Sequence, residues 1–317
     1  MSLKDAGYTL MKYSGLTSIA LGWQSGSLLI LMYHGICPDR LATASWVPSY
    51  FVAEGQFEAQ MRFLRGRLQP LRLIDAIGAL RLGGLSRNSV AVTFDDGYLN
   101  NFTLGGPILE RFSIPATVFL ATGHITSGRL FNHDRRRLIR HWQVADTGPA
   151  LDIDLKRLSV DAANDRLDPI WDRMEPRLTA EQLDCLRPAT WSEVLHASPL
   201  FEFGAHTVRH AVLSQESDGA ARREVAESVQ DVRARLGRQE VTFAYPNGTS
   251  EDFTARDVAV LQELAVVGAV TTVPGRNRPG ADPHRLLRHA ITLGHTDAVF
   301  EAEVAGMRRF LTSAATY

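Results

Sequence analysis

The sequence is short of cysteine, of net charge and of any long apolar run, and each shortage removes a class of protein. Two cysteines, Cys37 and Cys185, stand far apart in 317 residues. They form neither a disulfide framework nor a zinc-ribbon spacing. Both read as small structural thiols, although Cys37 follows His34 by three residues. The formal net charge is -1, so the basic excess of a nucleic-acid-binding surface is missing and no such partner is expected. Residues 14–33 come nearest to an apolar run. Gln24, Ser25, Gly26 and Ser27 interrupt them, short of the ~18 residues that a spanning helix needs. Lys4 and Lys12 are a weak version of a basic start, and no secretory signal is read. The expectation is a cytoplasmic chain, with an N-terminal helix lying on a membrane surface as the alternative. Internal repeats and low-complexity segments are absent as well.

What is there is a globular composition, 45% hydrophobic, with strand-like runs alternating with helical ones. Leu28–His34 is a continuous apolar strand, and Val90–Asp95 a second. Further strands are read at Ala116–Ala121, Leu200–Gly204, Val241–Tyr245, Val266–Thr272 and Arg285–Leu293. Helical spacing fills the intervals at Phe57–Leu68, Ala76–Leu82, Leu104–Phe112, Arg222–Leu236, Asp252–Leu264 and Asp297–Phe310. Such alternation implies parallel strands covered by helices, and about seven units favour a barrel over an open sheet. The fold class expected is therefore α/β, a distorted (β/α)7-type barrel over residues 28–317, preceded by an extension at 1–27. Residues 124–190 break the rhythm with polar, Arg- and Asp-rich helical pieces (Arg135–Trp142, Ala162–Arg173, Ala180–Leu186). They read as an inserted helical cap. Its densest charge run, Asp134 to Arg137, reads as a solvated helix face, with contact to a phosphate or an anionic glycan as the functional alternative.

The polar motifs fall where strands end, which is where barrels of this kind place their chemistry. Thr93-Phe94-Asp95-Asp96-Gly97 closes a buried strand with two adjacent carboxylates, which repel each other unless something positive lies between them. His206-Thr207-Val208-Arg209-His210 follows another strand. Two histidines four apart lie about one helical turn from each other and can chelate one ion. With a carboxylate they form a set that leaves positions open for water and substrate. Phe243-Ala244-Tyr245-Pro246-Asn247-Gly248 ends a third strand in a turn where a backbone N–H could face a developing oxyanion.

In these motifs the chain resembles the polysaccharide deacetylase family, the NodB-homology domain of carbohydrate esterase family 4. TFDDG at 93–97 and HTVRH at 206–210 are similar to its first two motifs, and AYPNG at 244–248 resembles a Tyr-Pro form of the third. The resemblance spans roughly residues 28–293. It implies that Asp96, His206 and His210 hold a divalent metal, zinc first, with Co2+, Ni2+, Mn2+ and Fe2+ as alternatives. It implies Asp95 as general base and the N–H of Asn247 as an oxyanion donor. Tyr245, Pro246 and Tyr98 are expected to contact substrate. The chain departs from the pattern at Ala244, where many relatives carry an arginine that orients the base. Arg288, in Leu286-Leu287-Arg288-His289, is expected to take that part. For the general acid, Tyr33-His34-Gly35 and Leu287-Arg288-His289 both resemble family segments. Strand side chains alternate, so Arg288 and His289 should face opposite ways, which favours His34.

The activity this implies is metal-dependent hydrolysis of the acetamido group of an N-acetylated sugar in a polysaccharide or oligosaccharide. Two alternatives remain. One is a deacylase or deformylase of a lipid- or nucleotide-linked monosaccharide. The other is an inactive glycan-binding relative, against which the complete Asp95, Asp96, His206, His210 set argues. Trp191 reads as a packing residue. His124, His133 and His141 are given no role.

Overall fold

The computed structural model describes residues 20–22, 24, 26–85, 88–142 and 155–307. Most of the 1–27 extension, the centre of the inserted region and the end of the closing helix, residues 308–310, lie outside them. In chain order the strands are Leu28–Tyr33 (β1), Ile36–Cys37 (β2), Val52–Ala53 (β3), Gln69–Pro70 (β4), Ser89–Phe94 (β5), Ala116–Leu120 (β6), Phe201–Ala205 (β7), Thr242–Ala244 (β8), Gly268–Val270 (β9) and His289–Ala290 (β10). The helices used below are Glu54–Arg67 (α1), Leu73–Arg81 (α2), Gly106–Phe112 (α3), Thr122–Ser127 (α4), Asn132–His141 (α5), Val160–Met174 (α6), Ala180–Leu186 (α7), Trp191–Leu195 (α8), Asp218–Leu236 (α9), Ala255–Glu263 (α10) and Asp297–Val304 (α11).

Seven strands make the wall in the order β10-β1-β5-β6-β7-β8-β9, with β4 on the start of β5. Every pairing in that sheet is parallel. The ring closes through a single segment that changes partner. Leu286 bridges Val270 of β9, and three residues on His289 pairs with Leu31 of β1. This corrects the long strand expected over Arg285–Leu293. The segment spends its hydrogen bonds on two neighbours in turn, so only two residues qualify as a strand. The distorted (β/α)7 barrel is therefore the architecture found.

The wall strands β1, β5, β6, β7, β8 and β9 are buried on both faces, as parallel strands beneath helices must be, while the short β10 is partly exposed. In β1 the residues Leu29, Leu31 and Tyr33 pack outward with Phe57, Met61 and Leu64 of α1. Leu28 and Ile30 turn inward to Ala91, Phe119, Ala244, Val270 and Leu286, and meet Leu73, Ala76 and Ile77 of α2. Helix α2 thus plugs the floor of the barrel, with Leu73 and Ile77 each contributing about 1.5–3 kcal/mol on burial. Gly204 is what lets Phe119 fill the interior, because a Cβ there would lie 2.5 Å from the Phe119 ring. The cap is a second core. Leu138 and Ile139 of α5, Leu167, Ile170 and Trp171 of α6, and Cys185 and Leu186 of α7 pack with Trp46, Phe51 and Tyr98. Its return is fastened to the motif loop, since Ala189 N–H donates to Gly97 O at 2.9 Å and Leu99 N–H to Arg187 O at 3.1 Å. Among the described residues no helix is long and apolar enough to cross a membrane. Cys37 and Cys185 are buried and free, and burial pushes their thiols up to about 11 and about 12.

Candidate metal centre

Strand parity aims the first carboxylate. Asp95 continues the inward series Ala91, Thr93 of β5 and so points into the mouth. Its neighbour ought to point outward, but Asp96 adopts φ 74° and Gly97 φ 84°. The left-handed turn brings the second carboxylate back to the same side, and only glycine takes the following position without strain. A Cβ on Gly97 would also meet Leu120 at 2.8 Å.

The two carboxylates then diverge in their partners. Arg288 grips Asp95 with both guanidinium arms, Nη1 to Oδ1 and Nη2 to Oδ2, each at 2.7 Å. Arg288 is itself buried and held by Thr271 O at 2.7 Å and Thr93 Oγ1 at 3.2 Å. Burial would raise Asp95, but Arg288 and His206 outweigh it and hold the carboxyl below its usual value. Asp96 is equally buried, yet neither of its oxygens has a hydrogen-bond partner. Its Oδ1 lies 3.4 Å from His206 Nε2 and 3.3 Å from His210 Nε2. One donor atom from each of Asp96, His206 and His210 falls within 4.8 Å of the others. A buried carboxylate without a donor is costly, and a divalent cation between these three groups removes that cost. The residues fit such an ion.

His206 is oriented for this. Its Nδ1 lies 2.7 Å from Ala244 O, and a carbonyl there accepts an N–H, which leaves Nε2 as the lone pair facing Asp96. His210 arrives differently from expectation. Residues 206–210 form a loop, not a helical turn, with φ 61° at Thr207 and 56° at His210. Glu224 of α9 holds that loop. It accepts from Val208 N at 3.0 Å, Arg209 N at 2.9 Å and Arg209 Nε at 2.6 Å.

The other expected residues separate into those at the mouth and those away from it. His34 is half-buried there, its ring 4.9 Å from Tyr50. Its backbone carbonyl accepts from Asn101 Nδ2 at 2.5 Å, on a π-helical turn, Asn101–Gly105. Burial lowers the His34 pKa, against the pull of Asp96 and Asp95. His289 faces the outside of the barrel, where its Nδ1 pairs with Glu303 of α11. Asn247, at φ 57°, lines a small cavity of about 90 Å³ with His124, His133 and His210. The Tyr245 ring does not reach the mouth. It stacks on Phe253 at 3.8 Å and donates to His284 O at 3.0 Å, in the outer layer, because β8 parity sends it the way of Phe243. Pro246 is buried at the turn. Tyr98 is buried beneath the cap and donates to Asp134 Oδ2 at 2.7 Å.

Two residues at the site had been given no role. His133 comes from α5 of the cap. Its Nε2 lies 3.9 Å from Asp96 Oδ2 and 3.0 Å from the Tyr98 hydroxyl. Glu224 is the other, and it left a signal, since it interrupts the apolar stripe Ala221, Val225, Val229, Val232 of α9. Trp191 is a packing residue, with Nε1 donating to Thr126 Oγ1 at 2.9 Å.

The family model for polysaccharide deacetylase matches residues 83–267, more than half of the chain. The chain belongs to the polysaccharide deacetylase family. The matched region contains Asp95, Asp96, His206, His210 and Asn247, while His34 and Arg288 lie outside it and stand on geometry. Poly-beta-1,6-N-acetyl-D-glucosamine N-deacetylase of Staphylococcus aureus is 28% identical over 123 residues, 36% of this chain and 42% of that protein. The enzyme of the same description in Staphylococcus epidermidis is 28% identical over 121 residues, again 42% of its length. The chain thus matches less than half the length of these curated relatives. Solved structures share the fold. The Streptococcus pyogenes deacetylase PplD, solved with acetate, superposes with TM-score 0.62 at 18% identity over 88% of this chain and 99% of that one. IcaB from Ammonifex degensii gives TM-score 0.61 at 19% identity, over 90% and 97%.

Proposed function

We propose that this chain is a metal-dependent N-deacetylase that hydrolyses the acetamido group of an N-acetylated sugar within a glycan. The observation that carries the reading is the unequal pair of carboxylates. Asp96 has both oxygens unmet between two histidine Nε2 atoms, while Asp95 beside it is locked by Arg288.

Asp96, His206 and His210 would hold the cation, which supplies Lewis acidity to the acyl carbonyl and to a water. Asp95, kept ionised by Arg288 and fixed in place by its fork, takes a proton from the attacking water. The backbone N–H of Asn247, presented by the left-handed turn after Pro246, faces the oxygen that gains charge. His34, on the far wall of the mouth, returns a proton to the departing amine. Arg288 is a positioning residue, since it acts through Asp95.

The experiment is to measure bound metal and acetate release from an N-acetylglucosamine oligomer with the purified chain. About one equivalent of divalent ion, and acetate release that a chelator abolishes, are expected. A chain that binds the oligomer but holds no metal would make it a glycan-binding relative instead. His34→Ala and His289→Ala separate the two acid candidates. The larger loss of turnover is expected at His34, because His289 is committed to Glu303.

A further inference from the structure

One oxygen of Asp96 is left over when an ion fills the site. The carboxylate is buried, and neither oxygen accepts a hydrogen bond. Oδ1 is the one set between the histidines, 3.4 Å from His206 Nε2 and 3.3 Å from His210 Nε2. An ion held by these three residues therefore takes Oδ1. Oδ2 then stays buried without a donor, and buried acceptors in folded proteins are rarely left so. His133 of the cap stands on that side, its Nε2 3.9 Å from Oδ2.

The hydrogen that Oδ2 lacks is carried by that nitrogen. Asp134, the next residue of α5, is buried and accepts from the Tyr98 hydroxyl at 2.7 Å and from the Tyr50 hydroxyl at 2.9 Å. Tyr98 gives its one proton to Asp134, so its oxygen meets His133 Nε2, at 3.0 Å, as an acceptor. His133 is therefore the tautomer with its hydrogen on Nε2. The ring is steered from several sides. It stacks on Phe131, with centroids 5.3 Å apart and planes 7° apart, and meets Tyr50 and His210 edge-on at 5.8 and 5.3 Å. The helix that carries it is fastened within the cap, where Arg135 binds Asp168 of α6 at 2.8 Å.

We propose that His133 is a positioning residue of the metal centre, the N–H donor that the cap extends to Asp96 Oδ2 when an ion occupies the site. The inference rests on the reading of Asp96, His206 and His210 as the ion's ligands, and adds the group that fixes the carboxylate from behind. The gap has to close by about 1 Å to reach hydrogen-bond range. Bonds around an unfilled site are often long and tighten when the site is loaded. A donor on the outer oxygen keeps the carboxylate turned to the ion through Oδ1, as outer hydrogen bonds do for the ligands of metal sites generally. The inserted region thus takes part in holding the ion, although all three ligands come from the barrel.

The test is a chelator competition titration of the full chain with Zn2+ and no sugar present. His133→Phe keeps a ring on Phe131 and removes the N–H, and it should bind the ion about 10- to 100-fold more weakly. His133→Gln retains an N–H donor and should lie between wild type and His133→Phe. Tyr50→Phe strips Asp134 of a donor inside the cap but leaves the His133 N–H in place, and it should bind the ion as wild type does. Thermal unfolding of the metal-free chains, measured alongside, separates a lost donor from a loosened cap. Wild-type affinity in His133→Phe would mean that Asp96 meets the ion with both oxygens. An equal loss in Tyr50→Phe would mean that the cap acts through packing alone. Either result overturns the proposal and leaves the three ligands standing. A wild type that binds no ion overturns the metal centre itself, and this inference with it.

Discussion

The barrel holds a buried acid at each end, and the two are satisfied in opposite ways. At the floor, Glu202 of β7 accepts from Thr117 Oγ1 at 2.7 Å and from Leu73 N, the first residue of α2, at 3.1 Å. At the mouth, Asp96 is no more exposed, yet no donor reaches either of its oxygens. Glu202 is tied to a helix start, whose free N–H groups welcome a carboxylate. Asp96 faces the Nε2 atoms of His206 and His210 at 3.4 and 3.3 Å and accepts a hydrogen bond from neither. A fold can seal an acid with its own donors, as it does at the floor. Where it withholds them, the acid is kept for something the chain does not supply. Asp95 stands between the two cases, with its charge answered by Arg288 and its position still at the mouth.

The sharpest way to break this comparison is to remove the unmet acid. Asp96→Ala should lose the metal altogether, and acetate release should fall on the order of a thousandfold or more. Metal analysis alongside the acetate assay reads both, and retention of a stoichiometric ion would remove Asp96 from the centre. Asp95→Asn should part the two readouts. Its metal content should match wild type while turnover drops about 10²- to 10⁴-fold, the range for a lost general base. Turnover near wild type would show that the base lies elsewhere. Glu224→Ala comes next. It frees the loop that carries His210, and outer-shell losses of this kind weaken metal binding about 10- to 100-fold. A chelator competition titration measures it, and unchanged affinity would mean the left-handed residues hold the loop unaided.

The sequence yielded the barrel and the candidate ligands more readily than it yielded their supports. The strands announce themselves because a parallel wall is apolar on both faces, so runs such as Leu28–Tyr33 need no partner to be recognised. Asp95, Asp96, His206 and His210 stand in short local motifs. Arg288 was reachable through the family resemblance, and strand parity then placed His289 on the opposite face. His133 was not reachable. It belongs to the cap, and its approach to Asp96 is set by packing between segments far apart in the chain, such as Tyr50 and Asp134, which share a hydrogen bond at 2.9 Å. The same distance hid the split of the basic run Asp134 to Arg137, where α5 buries Asp134 and Arg135 and leaves Arg136 and Arg137 lining an open cleft. The histidine motif misled in shape, because its spacing fits a helical turn equally well. Positive φ is rare for a β-branched residue such as Thr207, so the sequence gives no reason to expect the left-handed turn there.

The smallest effect lies at the floor, and it tests the contrast from the other side. Glu202→Ala removes an acceptor from two buried donors and leaves a void, so stability should fall by about 2–4 kcal/mol, with metal content unchanged. The pH dependence is subtler. Burial raises the Glu202 pKa, although Thr117 donates to it. A carboxyl raised in the folded state favours folding in its neutral form. Its contribution is complete below the unfolded value of about 4.3 and erodes as pH climbs through the raised folded value. Glu202→Gln stays neutral throughout. Thermal unfolding of the two proteins across that window should therefore show the Gln variant gaining on wild type as pH rises. Parallel curves would mean that Thr117 and the α2 N-terminus fully offset burial, making the floor acid as well stabilised when charged as when neutral.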